Sequence, residues 1–309
     1  MSGPLFLGID GGGSTLRVAV VGLELETLTT VSGPSANPNL IGHAAAQALI
    51  RRCVNQALAQ ANATPADISA AAIGIAGASN THSRDWLAQT LKPALPQSLL
   101  APSSDLEIAL VGALAQRYGI LLLAGTGSAV YGVAPDGAHL QIGGWGYLLG
   151  DDGSSYWIGR QLLRHVIAVY DAGAPVERDP LSRRCLNALG LEQPRELIAW
   201  LYRRDEAPAA RIAGLTRIVI DCANEGCDAA MEILDRAASI LVALVAAMRE
   251  RLDYAEAPLA FAGGLLDNDN YLSNLAAKQL GLDSRPLAQH PPVIGAALLA
   301  KMAWSAGDK

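Results

Sequence analysis

The stretch Gly8-Ile9-Asp10-Gly11-Gly12-Gly13-Ser14-Thr15-Leu16-Arg17-Val18-Ala19-Val20-Val21 decides how this chain is read. An apolar run over residues 5–9 ends in an acid and three glycines, and a second apolar run over 16–21 returns. A continuous apolar run suits a strand buried on both faces, and glycines permit the sharp turn between two such strands. The figure recurs at mid-chain. An apolar run at 120–124 meets Gly125-Thr126-Gly127-Ser128, and a return strand follows at 129–134. The repeat is too long for a solenoid array. It implies an internal duplication: two α/β domains facing each other across a cleft, where ligands tend to bind.

Working outward from the two hinges, a third strand is expected near 28–31 and an Ala-rich helix over 43–63. A buried strand follows at 69–78, a short helix at 86–91, and a strand leading into a helix at Asp105. After the second hinge, Pro135-Asp136-Gly137 marks a turn and 139–144 a third strand. Residues 154–170 and most of 181–253 read as helix, 257–264 as a late strand ending in Gly263-Gly264, and a Pro-initiated helix from Pro291 closes the chain. The expected division is 1–118, joined by the closing helix 291–309, and 119–290 with a helical insertion.

Composition excludes several roles. The chain has 309 residues, 51% hydrophobic and 17% charged, with a net charge of -6 and no cluster of Lys or Arg, so a nucleic-acid surface is not expected. The start is not a secretory leader. The most apolar helical stretch is interrupted by Arg249, Glu250 and Arg251 and reads as a core helix, not a membrane span. Cys53, Cys185, Cys222 and Cys227 show no disulfide framework and no zinc spacing, which points to a reduced, cytoplasmic protein.

The hinges carry the chemistry. Backbone N–H groups of a Gly-rich turn can form a concave nest for phosphate oxygens. Both hinges join strand to strand, unlike a Walker loop, and Gly11 to Thr15 lacks the Walker Gly-Lys-Ser ending. Asp10 ends a buried strand, where a carboxylate wants a cation such as magnesium. The alternative is an acid that caps the turn. Ala124 stands at the matching place in the second hinge. Asp105 is either a helix N-cap or a general base for a substrate hydroxyl. Gly144, Trp145 and Asp151 belong to a Gly- and Trp-rich segment, 143–161, that offers an apolar platform and hydroxyl acceptors, while Asp152 or Ser154 could cap the helix that follows. Asn37 and Asn39 read as turn residues or as ligand contacts. Gly263-Gly264 is either a flat-ring approach or a turn needing positive φ.

Together these residues resemble the superfamily of sugar kinases, actin and the seventy-kilodalton heat-shock proteins. The segment GGWGYLLGDDGSSYWIG resembles the signature loop of the N-acetylglucosamine kinase family, whose relatives include glucosamine kinases and the ATPases that activate acyl-CoA reductases and dehydratases. The resemblance implies two ribonuclease-H-like (actin-like ATPase) domains flanking a central cleft. It implies ATP and Mg2+ as cofactors and phosphorylation of the 6-hydroxyl of an amino sugar, N-acetylglucosamine first, with glucosamine or an activator-type ATPase as the alternatives. It implies that Gly11, Gly12, Gly13, Ser14 and Thr15, with Gly125, Thr126, Gly127 and Ser128, hold the phosphates. Asp10 then serves the metal, Gly263 and Gly264 the adenosine, Asp105 the proton, and Asn37, Thr126, Gly144, Trp145 and Asp151 the sugar. The family's sugar-contacting serine appears here as Ala76. Kinases of this type often form homodimers.

Overall fold

The computed structural model describes residues 3–12, 15–77, 83–203 and 208–307. Gly13 and Ser14, both assigned to the first phosphate hairpin, lie outside the described residues.

The elements of the first half run β1 (Leu5–Gly11), β2 (Thr15–Val21), β3 (Thr27–Pro34), α1 (Pro38–Ile41), α2 (His43–Gln60), β4 (Ile68–Ile75), α3 (Ser83–Leu91), β5 (Leu99–Ser103) and α4 (Asp105–Leu114). The second half runs β6 (Gly119–Ala124), β7 (Ser128–Val133), β8 (His139–Gly143), α5 (Ser155–Asp171), α6 (Pro180–Leu189), α7 (Leu197–Leu201), α8 (Pro208–Gly214), α9 (Thr216–Asn224), α10 (Asp228–Arg251), β9 (Leu259–Ala262), α11 (Tyr271–Gln279) and α12 (Pro292–Gly307). Contacts divide the chain into two compact units: residues 1–121, 135–137 and 288–309, and residues 122–134 and 138–287.

The first unit is built on a five-stranded sheet, ordered β3-β2-β1-β4-β5. β1, β2 and β3 form an antiparallel meander, while β4 and β5 lie parallel to β1. All seven residues of β1 are buried, as expected of a central strand covered on both faces. One face packs Leu7, Ile9, Val18 and Ile73 against Leu49, Ile50 and Val54 of α2 and Leu87 and Leu91 of α3. α4 and α12 pack together and against the sheet. Small residues make that packing possible. A Cβ at Gly8 of β1 would run into the Val293 carbonyl oxygen, and one at Gly295 into the Ile108 carbonyl oxygen. Gln289 and His290 donate to the carbonyls of Ala113 and Gly112, which tethers the start of the closing helix to the end of α4. Phe6 meets Trp304 of α12 edge-on at 5.6 Å.

The second unit carries a four-stranded sheet, ordered β8-β7-β6-β9. Its long helix α10 buries Ala230, Ile233, Leu234, Ala237, Ala238, Leu241, Val245 and Met248, the stripe of a core helix. No helix among the described residues is long and apolar enough to cross a membrane.

Candidate active site

Strand register builds the first half of the site. Arg17 of β2, Asp10 of β1, Gly74 of β4 and Ser103 of β5 lie side by side in one row across the sheet. The row sits at the carboxyl ends of the three parallel strands, where open α/β sheets bind ligands. Gly74 has no side chain because α4 begins there: a Cβ would lie 2.5 Å from the Ser104 carbonyl oxygen and 2.8 Å from Ile108. That close approach brings the first turn of α4, and with it Asp105, over the end of the sheet beside Asp10.

Asp10 is buried, 6% exposed, and its partner is Arg17, with Nη1 3.6 Å from Oδ2. Burial pushes its carboxyl up to about 6, and the nearby Asp105 adds to the push while Arg17 opposes it. Burial also raises Asp105 above the ordinary carboxylate range, against the pull of its own N–H and that of Leu106. Asp105 is not the helix N-cap. Ser104 holds that position and accepts from the Glu107 N–H at 3.0 Å. The capping alternative for Asp105 therefore falls to its neighbour, and the Asp105 carboxylate stands at the first residue of the helix itself.

The first glycine hairpin closes through Gly12 N–H to the Thr15 carbonyl, at 3.0 Å. The Gly11 carbonyl accepts from Ala76 N–H at 2.7 Å, so the chain leaving β4 is tied to the turn leaving β1. Asn37 lies at the same edge. Its Oδ1 caps α1 by accepting from Asn39 N–H at 2.9 Å, and Asn39 Nδ2 donates to the Gly77 carbonyl at 3.0 Å. The turn reading of both asparagines holds, and the same bonds place Asn37 beside Gly77. The structure thus gathers Asp10, Gly11, Gly12, Asn37 and Asp105 at one edge of the first unit.

The second hairpin is stitched to the loop before α5. Gly125 N–H bonds to the Gly127 carbonyl, and Ser155 and Tyr156 N–H groups bond to the Gly125 and Thr126 carbonyls. Ser128 N–H donates to Asp151 Oδ1 at 3.3 Å, Ser128 Oγ donates to the Asp152 carbonyl at 2.8 Å, and Gly144 N–H reaches the Ser128 carbonyl at 2.9 Å. Half of the expected amide nest is thereby consumed. The N–H groups of Thr126 and Gly127 are left without a hydrogen bond to any described residue. Gly127 is required beside them, since a Cβ there would lie 2.7 Å from Asp151 Oδ2. Asp151 adopts φ 59°, a left-handed backbone, and burial raises its carboxyl while the Ser128 amide lowers it. Ser154, not Asp152, caps α5, accepting from Trp157 N–H at 3.2 Å.

Trp145 is 75% exposed, and Leu148 and Leu149 still more so. Packing within its own unit therefore does not explain the tryptophan. Gly263 has φ 93°, and a Cβ there would strike the Ala124 carbonyl oxygen, so the turn reading accounts for it. Gly264 faces open space and lies beside Gly125. Two charged residues that border the site escaped the sequence reading. Arg17 could have been found from its place opposite Asp10 in a tight hairpin. Glu107 was marked by the Ser104-x-x-Glu107 spacing of a capping box. The cysteines are free, and no group of three or more His, Cys, Asp or Glu among the described residues could hold a metal.

The chain is similar along most of its length to proteins of known sequence and structure. The sequence pattern of the BadF/BadG/BcrA/BcrD ATPase family matches residues 7–300. The N-acetylmuramic acid/N-acetylglucosamine kinase of Clostridium acetobutylicum is 30% identical over 279 residues, 90% of either chain. The N-acetyl-D-glucosamine kinase of Dictyostelium discoideum is 28% identical, over 97% of this chain and 98% of its own. A crystal structure from Chromobacterium violaceum, assigned as an N-acetylglucosamine kinase, superposes with a TM-score of 0.73 at 26% identity, covering 97% of this chain and 99% of its own. The α/β architecture is that of the actin-like ATPases and sugar kinases. With glycine hairpins ending paired strands in each unit and a buried acid before the first, this chain belongs to the BadF/BadG/BcrA/BcrD ATPase family.

Proposed function

We propose that the protein transfers the terminal phosphoryl group of ATP to the 6-hydroxyl of an amino sugar, with N-acetylglucosamine as the first substrate. The observation that carries this reading is the pairing of Asp10 and Asp105 at the carboxyl ends of β1 and β5, beside a glycine hairpin. Similarity to named amino-sugar kinases over most of the chain supports the same substrate class.

In this reading Asp105 accepts the proton of the sugar 6-hydroxyl. The oxygen forms its bond to the γ-phosphorus as the bond from phosphorus to the β-phosphate oxygen breaks, giving sugar 6-phosphate and ADP. Phosphoryl transfer needs positioning and charge neutralisation more than covalent help. The amides of Thr126 and Gly127 would hold phosphate oxygens, with Gly11, Gly12, Gly13, Ser14, Thr15, Gly125 and Ser128 shaping the two turns. Gly264 would leave room for the nucleoside, Gly263 shaping its turn. Asn37, Gly144, Trp145 and Asp151, with Thr126, would hold the sugar. Burial raises the Asp105 carboxyl above its ordinary range, and a weaker acid has a more basic carboxylate.

Magnesium fits the residues present. Buried Asp10 and half-buried Asp105 stand together, and a half-exposed guanidinium answers only Asp10, so a cation would relieve both. With no cluster of three ligands among the described residues, phosphate and water would supply most of the shell, as magnesium prefers. When bound at Asp10 it would neutralise phosphate charge.

A coupled assay with ATP across N-acetylglucosamine, N-acetylmuramic acid, glucosamine, N-acetylmannosamine and glucose tests the reading. ADP formed in proportion to an N-acetylated amino sugar is expected. Absence of sugar-dependent turnover on every member of the panel would overturn it.

A further inference from the structure

Asp105 can take a proton from substrate only if the first turn of α4 is held still. One side chain bridges the two elements that meet there. Glu107 lies on the third residue of the helix and its side chain is 14% exposed. Its Oε2 accepts a hydrogen bond from Ser103 Oγ, the buried last residue of β5, and its Oε1 lies 3.2 Å from Arg117 Nη2, beyond the far end of the helix. Its own N–H is fixed by Ser104 Oγ at 3.0 Å. In an ordinary capping box the acid turns back to the N-cap amide. Here the carboxylate reaches the strand. Ser103 is the residue aligned with Gly74, and Gly74 is aligned with Asp10. Glu107 therefore ties the row that carries Asp10 to the helix turn that carries Asp105.

We infer that Glu107 is a positioning residue for the proton acceptor: through Ser103 and Arg117 it fixes where the Asp105 carboxylate stands relative to the row of Asp10. This rests on the kinase reading of Asp105. Mechanical misplacement by about 1 Å can cost roughly a hundredfold in rate. Glu107 touches no substrate, so the loss should fall on kcat and leave KM for sugar and ATP unchanged.

The test is a double-mutant cycle on the full chain, with thermal unfolding measured on each variant. E107A is expected to lower kcat at least about tenfold at unchanged KM. E107Q, which can still accept from Ser103, should restore most of it. R117A should fall between E107Q and the wild type, because Arg117 is 60% exposed. On a D105N background, E107A should cost nothing further, because the group it positions is already gone. Equal fractional losses from E107A with and without Asp105 would overturn the inference and leave Glu107 a general brace of the fold. So would an E107A enzyme of wild-type kcat and lowered melting temperature. A wild-type chain without sugar-dependent turnover would instead sink the kinase reading, so the two failures are distinguishable.

Discussion

The two glycine hairpins share a backbone plan and differ in what surrounds them. The first follows a buried acid, and its edge of the sheet gathers uncompensated negative charge: Asp10 is pushed up to about 6, Asp105 is raised beside it, and Arg17 answers only one of them. The second follows Ala124 and is held by hydrogen bonds donated by the Gly144, Ser155 and Tyr156 amides and one accepted by Asp151. One turn is electrostatically costly, and the other is rigid. A duplicated element keeps its geometry because strand pairing enforces it. The residues at its rim are free to take up charge chemistry in one copy and scaffolding in the other.

Removing the charge chemistry is the most severe way to break this contrast. Asp105→Asn keeps the shape and deletes the proton acceptor, so kcat should fall by about a thousandfold with KM little changed, as steady-state kinetics would show. Unchanged kcat would move the base elsewhere.

Rigidity on the second side is tested by neighbouring glycines. Gly263→Ala places a Cβ against the Ala124 carbonyl in a left-handed backbone, and should cost about 3 kcal/mol in urea unfolding. Gly264→Ala meets open space and should leave stability nearly unchanged, while weakening nucleotide affinity in a titration. Equal effects of the two substitutions would show that the second turn is less constrained than its hydrogen bonds suggest.

The electrostatic cost of the first turn has a definite sign with pH. An acid whose carboxyl is raised from 3.8 to about 6 binds more protons folded than unfolded between those values. Its contribution to stability therefore declines as pH rises through that window and stays lower above it, by about 2–3 kcal/mol. Asp10→Asn removes the penalty. Without nucleotide it should melt higher than the wild type at pH 7.5, and the difference should vanish near pH 4. A variant less stable at pH 7.5 would mean that the Arg17 pair outweighs burial. Catalysis should be lost even as stability is gained.

The smallest effects come from the two helix caps. Ser104→Ala and Ser154→Ala each remove an N-cap bond and should cost about 1 kcal/mol in thermal or denaturant melts. Ser154→Ala should also loosen the loop that carries Asp151, and so raise KM for the sugar.

Much of this was legible in the chain. The buried strands, the hairpins between them and the core helix α10 follow from apolar runs and glycine placement, which act locally and leave a periodic trace. Asp10 stood out because an acid at the end of an apolar run is expensive wherever the chain folds. Asp105 was ambiguous between cap and base, because a helix start offers both roles to adjacent residues. The observed bond from Glu107 N–H to Ser104 gives the cap to Ser104.

What the sequence determined by itself is the alternation of buried strands and helices and the identity of the polar residues placed where strands end. Those are consequences of burial and of backbone freedom at glycine, and both are properties of short segments. What only the tertiary structure decided is adjacency: Arg17, Asp10, Gly74 and Ser103 come from four strands and share a row only because the register aligns them. Register and helix docking depend on packing between segments far apart in the chain, through Gly8, Gly74 and Gly295, and no local pattern records which distant partner a glycine has made room for.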